Sequence, residues 1–127
     1  MRVALDTNRL TDLFRGDMEL AKWLGTCEEV WIPLIVLAEI KAGFYDGTKT
    51  NRNEILLQEF RNRPTVEVLL PGFETAEHYA RLYLQLKRAG TPIPDNDLWI
   101  AALALEHNFR LVTRDRHFKK VVQLVCV

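Results

Sequence analysis

The sequence lacks an excess of charge of either sign. Its 127 residues include 17 Lys plus Arg and 17 Asp plus Glu, so the formal net charge is zero. This balance excludes the uniformly basic surface of a protein that coats nucleic acid. Any contact with a polyanion must therefore depend on local clusters of cations or on bound metal.

Cysteines and long apolar runs are also scarce. Cys27 and Cys126 lie far apart without a CxxC pair, so we expect two free thiols that pack as small hydrophobic side chains, with a disulfide as the alternative. The longest apolar run, residues 31–38, is much shorter than the roughly 20 residues that span a bilayer. An aspartate already stands at position 6, so we expect no signal peptide and a cytoplasmic protein without membrane contact.

The apolar patterns predict an α/β fold. Hydrophobic residues make up 48% of the chain, which suits one domain over residues 1–127 with one core. Short β-like runs alternate with helical patterns, and this order predicts a parallel sheet covered on both faces. The predicted strands, about five, are 3–5, 29–32, 66–70, 111–113 and 121–125. The predicted helices are 10–14 with Thr7 or Asn8 as its cap, 18–24, 33–43 with Pro33 in the first position, 53–61, 75–89 and 97–107.

Glu39 is an acid in an apolar helical segment, residues 34–40. Its neighbours three and four positions away are Ile35, Val36, Ala42 and Gly43. No cation on its own helix can therefore pair with it. A buried, unpaired carboxylate costs several kcal/mol, so Glu39 must find a cation or donors, stay protonated, or lie solvated at the helix rim.

Asp97 opens a second apolar segment, and Asp6 and Asp115 each follow a predicted strand. Taken singly, each has an ordinary explanation, since the helix dipole favours an acid in the first turn and aspartates form turns. Asp95 is interpreted as a loop or cap residue, because residues two positions apart on one helix, such as Asp95 and Asp97, point in different directions.

The carboxyl ends of parallel strands meet at one edge, so Asp6, Asp97 and Asp115 should converge there with Glu39. Four acids in one crevice need a hard cation, and Mg²⁺ suits a few carboxylates plus water.

Two further groups of polar residues flank these acids. Thr7 and Thr113 adjoin two of them, and their hydroxyls either hold carboxylates or serve as caps and strand-end hydrogen bonds. Cations follow the first and last acids, and they either contact a phosphate backbone or form a solvated face: Arg9, Arg114, Arg116, His117, Lys119 and Lys120.

These motifs resemble a known family. Asp6-Thr7-Asn8, Glu39 after the second strand, the segment 97–104, and Thr113-Arg114-Asp115 resemble the successive motifs of PIN domains. The short chain and the loop 92–96 resemble VapC-type toxin ribonucleases in particular. The likeness extends over essentially the whole chain. It is specific because four motifs, each weak alone, occur here in the same order as in the family.

The resemblance implies a three-layer α/β/α domain that hydrolyses RNA with Mg²⁺, for which Mn²⁺ substitutes. Asp6 and Asp97 would be the principal metal ligands, and Glu39 and Asp115 would complete the acidic pocket. Glu39 either ligates metal or acts as a general base, and the number of metals stays open. Arg9, Arg114, Arg116 and Lys119 would contact RNA. A VapB-type antitoxin partner and a homodimer are also implied.

Three other functions compete with this interpretation. A haloacid-dehalogenase-like phosphotransferase would use Asp6 as a nucleophile, but it needs a second aspartate where this chain has Asn8. A receiver-like domain usually pairs adjacent acids early in the chain. A non-catalytic PIN-like interaction module would keep the fold and lack an acid, whereas all four acids are present here.

Overall fold

The computed structural model describes all 127 residues as four strands and six α-helices, followed by a short 3₁₀ helix. The strands are β1 (Arg2–Leu5), β2 (Glu29–Pro33), β3 (Val66–Leu69) and β4 (Arg110–Val112). The helices are α1 (Thr7–Phe14), α2 (Met18–Leu24), α3 (Leu34–Asp46), α4 (Thr50–Arg61), α5 (Phe73–Arg88) and α6 (Asp95–Glu106), and the 3₁₀ helix is Arg116–Lys120.

The sheet is parallel throughout, in the order β3-β2-β1-β4. Val3, Ala4 and Leu5 of β1 are consecutive and fully buried. Because consecutive strand residues point to opposite faces, both faces of the central strand are covered. The predicted three-layer α/β/α class is therefore confirmed. The buried hydrophobic residues form one cluster around this sheet.

The predicted fifth strand, residues 121–125, is wrong in position and extent. The only pairing there is a single parallel bridge between Leu111 and Cys126. Val121 and Leu124 are buried while Val122 is 86% exposed. This spacing of three is typical of a turn and does not fit the alternation of a strand. The terminal segment therefore adds only a short edge beside β4.

Several helix starts differ from the predicted ones. Asp6, and neither Thr7 nor Asn8, caps α1 through its own side chain. Pro33 ends β2 and lies one residue before the first position of α3. The last helix begins at Asp95, two residues early, because Pro94 with a φ of −54° is compatible with a helix start.

Both cysteines are free, but only Cys27 is buried. The expectation that Cys126 packs inside is wrong, because the bridge to Leu111 places it on the outer edge of the sheet. No helix combines the length and the apolar character needed to cross a bilayer.

Candidate active site

Asp6 lies directly after β1, at the carboxyl edge of the sheet. Its side chain accepts hydrogen bonds from the Thr7 backbone N–H at 2.8 Å and from the Thr113 hydroxyl at 2.7 Å. The residue is only 4% exposed. Burial raises the pKa of Asp6, and repulsion from Asp97 and Asp115 adds to that rise, while the two hydrogen bonds oppose it.

Glu39 reaches the same region from α3. Its Oε1 accepts a hydrogen bond from the Thr7 hydroxyl at 3.0 Å, and no cation forms an ion pair with it. Burial is the main cause that raises the pKa of Glu39, and the charges of Asp6 and Asp97 raise it further. The half-buried carboxylate thus has one hydroxyl donor and no counter-charge.

Asp97 and Asp115 face each other across His117. The His117 Nδ1 lies 3.0 Å from Asp97 Oδ2 and 3.2 Å from Asp115 Oδ1. One ligand atom from each of the three residues lies within 4.8 Å of the other two. Burial raises the pKa of Asp97, as does the nearby Asp115, while His117 lowers it. These three side chains could hold one metal ion.

Thr7 and Thr113 connect the acids to one another. The Thr113 hydroxyl donates to Asp6 and accepts from the Asp115 backbone N–H at 3.0 Å. Thr7 contacts Asp6 through its N–H and Glu39 through its hydroxyl. Each threonine therefore links two of the four acids.

An open pocket lies over these groups. Glu39, Asp97, Asp115 and His117 line it, with residues 94–96 at its rim, and no Lys or Arg does so. Asp6 lies beneath, within electrostatic reach of Asp97 and Asp115. The structure thus brings all four predicted acids together. His117 belongs to this group as well, although the sequence placed it only among the cations; its signal was a histidine two positions after Asp115.

Comparisons with known proteins agree with this geometry. A family model described as the PIN domain matches residues 3–124. The chain belongs to the PIN-domain family. Ribonuclease VapC2 of Rickettsia felis is 30% identical over 119 residues, which cover 93% of this chain and 85% of that protein. The VapC ribonuclease Y4jK of Sinorhizobium fredii is 31% identical over 125 residues, covering 89% and 86%.

Solved structures show the same fold. The VapBC2 complex of Rickettsia felis, bound to a promoter DNA fragment, contains a chain with a TM-score of 0.91 and 27% identity, with 100% of this chain and 98% of that chain covered. VapBC-1 from nontypeable Haemophilus influenzae gives a TM-score of 0.87 and 26% identity, with 100% and 97% covered. The predicted resemblance to VapC-type PIN domains is therefore confirmed.

In this PIN domain the predicted RNA-contacting cations lie outside the acidic pocket. Arg9 contacts Asp12 at 2.9 Å, and Arg114 makes two bonds to the same carboxylate at 2.7 and 2.8 Å. Arg116 and Lys119 are exposed and have no ion pair. Arg9 and Arg114 are thus both paired with Asp12, whereas Arg116 and Lys119 are free.

The environment of Asp6 in the PIN domain disfavours the phosphotransferase alternative. Both carboxylate oxygens accept hydrogen bonds, and the group is almost fully buried. Asn8, where that chemistry needs an acid, accepts a hydrogen bond from the Arg114 backbone N–H at 3.3 Å. Asp6 is held in place and is not presented as a nucleophile.

Proposed function

We propose that this PIN domain is a metal-dependent endoribonuclease and the toxin of a toxin–antitoxin pair. The observation that carries the proposal is the convergence of Glu39, Asp97 and Asp115 in a pocket without Lys or Arg, with Asp6 beneath it at the same edge of the sheet. The relatives named VapC ribonucleases support the same reaction class.

The donor set fits Mg²⁺. Carboxylate oxygens are its preferred protein ligands, and the burial and mutual repulsion that raise the pKa of Asp6, Glu39 and Asp97 would be offset by a divalent cation. We propose that Asp6, Asp97 and Asp115 hold Mg²⁺, with Mn²⁺ as a substitute, and that Glu39 either completes the ligand set or acts as the general base. When bound there, the ion would supply Lewis-acid polarisation of the phosphate and of a water ligand.

The remaining steps belong to the side chains. In the second role, Glu39 is half-buried and has a raised pKa, so it is suited to take a proton from the attacking water as that water bonds to phosphorus. The leaving oxygen takes a proton from solvent water as its bond to phosphorus breaks. Thr7 orients Glu39, while Thr113 fixes Asp6. His117 holds Asp97 and Asp115 in position.

The proposed partners follow from the relatives. We propose that Arg9, Arg114, Arg116 and Lys119 contact RNA phosphates; Arg116 and Lys119 are free, whereas Arg9 pairs with Asp12 and Asp17, and Arg114 pairs with Asp12. The similar solved structures are named as VapBC complexes, which supports a VapB-type antitoxin partner. We also propose a homodimer that acts in the cytoplasm.

The test is metal-dependent cleavage by matched variants. Asp6→Asn and Asp97→Asn should each lower cleavage of total RNA in Mg²⁺ by about a hundredfold or more, because each removes a charged group from the reacting centre. Asp6→Asn should stay folded, since Asn also caps helices well. Asp46→Asn, at the exposed end of α3, is the control and should keep full activity.

Circular dichroism and thermal melts verify that the variants are folded. Chelator should abolish cleavage by the wild type, and added Mg²⁺ or Mn²⁺ should restore it. Undiminished cleavage by both folded pocket variants would refute the assignment of the site.

A further inference from the structure

A second cleft begins at Glu39 and runs away from the acidic pocket between α1 and α3. Its volume is about 480 Å³, and the start of α4 closes its far end. Glu39 lines both cavities. The two cavities therefore adjoin each other at this carboxylate.

Two rows of residues form the walls of the cleft. Thr7, Thr11 and Arg15 follow at intervals of four along and just beyond α1, and Glu39, Gly43 and Gly47 do so along and just beyond α3. A spacing of four keeps side chains on one helix face. From Thr7 to Arg15 the chain advances about 12 Å along the helix axis. The Arg15 end of the cleft is thus well separated from the end at Thr7 and Glu39.

The charge of the cleft changes sign along its length. Glu39 is its only acid, whereas Arg15, Lys49 and Arg52 line the far end. None of these three cations forms an ion pair. The acid nearest to Arg52 in the chain, Glu54, is already paired with Lys41 at 3.0 Å. The far end therefore carries three cations that have no ion pair within the protein.

We propose that this cleft binds single-stranded RNA beside the cleaved bond, with Arg15, Lys49 and Arg52 on the phosphates that flank the reacting one. The proposal rests on the proposed function, because the reacting phosphate would lie at the acidic end. The Thr48 hydroxyl also lines the cleft and can donate to backbone oxygens, whereas the Thr11 hydroxyl already donates to the Thr7 carbonyl at 2.9 Å. Only three of the thirteen lining residues are apolar, which favours a polyanion over an apolar peptide face.

The first test measures binding without cleavage. The probe is a labelled, mixed-sequence, single-stranded oligoribonucleotide of about 16 nucleotides, followed by fluorescence anisotropy in chelator. Arg15→Gln/Lys49→Gln/Arg52→Gln should bind at least about tenfold more weakly than wild type in low salt. Its log–log salt slope between about 50 and 200 mM should be smaller by about 2, since each lost phosphate contact removes about 0.7.

The charge-matched control is Lys22→Gln/Arg81→Gln/Arg88→Gln. These three cations are exposed and lie outside the cleft. The control should bind like wild type. Equal binding by the two triple variants would overturn the proposal, and so would a cleft variant that keeps RNA binding but loses its complex with a VapB-type antitoxin.

A steric test leaves the charge unchanged. A Cβ at Gly43 would meet no atom within 4 Å, so a larger side chain fits the backbone and projects into open space. Gly43→Phe should weaken oligoribonucleotide binding severalfold, while Gly43→Ala should not, with both proteins melting at or above the wild-type temperature. Wild-type binding by folded Gly43→Phe would contradict the proposal.

These readouts separate the two hypotheses. A wild type that binds the probe through the cleft but never cleaves RNA in Mg²⁺ would refute only the nuclease function. A wild type that cleaves RNA while the cleft variants bind and cleave normally would refute only the cleft assignment.

Discussion

At the scale of single residues, two threonines determine how the acids are arranged. Thr113 donates to Asp6 and accepts from the Asp115 backbone, and Thr7 joins Asp6 to Glu39. The carboxylates repel each other, so their positions depend on neutral donors that do not cancel their charge. Such donors leave the acids free to bind a cation.

Replacing Thr113 tests this role. A hydrogen bond to a charged group contributes about 1.5–3 kcal/mol, so Thr113→Val should lower cleavage by roughly tenfold to a hundredfold through loss of Asp6 positioning. Steady-state cleavage of RNA in Mg²⁺ measures the effect. Thr113→Ser retains the hydroxyl and should stay near wild type. Equal activity of the Val and Ser variants would show that the hydroxyl has no such role.

At the scale of elements, α3 carries both Glu39 and the glycine that keeps the cleft open. Gly43 lies in the interior of this helix, where glycine is less favourable than alanine, and its surroundings leave room for a side chain. The helix therefore gives up stability at a position that faces the cleft.

Gly43→Ala should raise the free energy of unfolding by about 0.5–1 kcal/mol, because alanine restricts the unfolded chain and favours the helix. Urea denaturation measures the change. The control is Gly90→Ala, which should be destabilising because Gly90 has a φ of +71°. A Gly43→Ala protein less stable than wild type would contradict this explanation.

An ion pair ties α1 to the segment after β4. Arg114 bonds both oxygens of Asp12 and lowers the pKa of that carboxyl, with Arg9 as a second contributor. Because the pKa is lowered on folding, the pair stabilises the protein above the ordinary carboxyl pKa and is lost as pH falls through the lowered value.

A double-mutant cycle with Asp12→Asn and Arg114→Gln measures this link. Each single variant should melt below wild type at neutral pH, and the double variant should melt no lower than the worse single one, because the second change removes an interaction already lost. The coupling should shrink in high salt. Strictly additive losses would show that the pair does not contribute to stability.

At the scale of the whole molecule, the net charge is zero, but acidic and basic side chains are concentrated in different places. Acids converge in one pocket, and free cations line the far end of the adjoining cleft. Burial and repulsion raise the pKa of Asp6, Glu39 and Asp97 in the folded protein. These three carboxyl groups therefore stabilise the folded protein most below the ordinary carboxyl pKa, and this stabilisation is lost as pH rises through the raised pKa values.

The metal-free protein should reveal this effect in thermal melts. As pH rises from about 4, the ordinary carboxyl pKa, to neutral in chelator, wild type should lose stability relative to Asp6→Asn, which lacks one titrating acid. Saturating Mg²⁺ at the higher pH should stabilise wild type by about 2.7 kcal/mol at a hundredfold excess over its Kd, and stabilise Asp6→Asn less. A wild type that gains stability over Asp6→Asn with rising pH would contradict the raised pKa values.

The sequence alone determined the fold class and the acids. Alternating apolar patterns predicted the parallel sheet, and a parallel sheet places the carboxyl ends of its strands at one edge, so Asp6 and Asp115 had to lie near each other. Glu39 and Asp97 were conspicuous because each stood in an apolar helix with no cation one turn away. These are local signals, and the sequence displays them directly.

Only the tertiary structure decided the rest. The bridge at Cys126, the place of His117 between Asp97 and Asp115, and the cleft cations depend on which distant segments meet. Residues 121–125 looked like a strand because apolar composition does not distinguish a strand from a turn with buried anchors at Val121 and Leu124. Long-range packing, which periodicity along one segment does not encode, settled each of these positions.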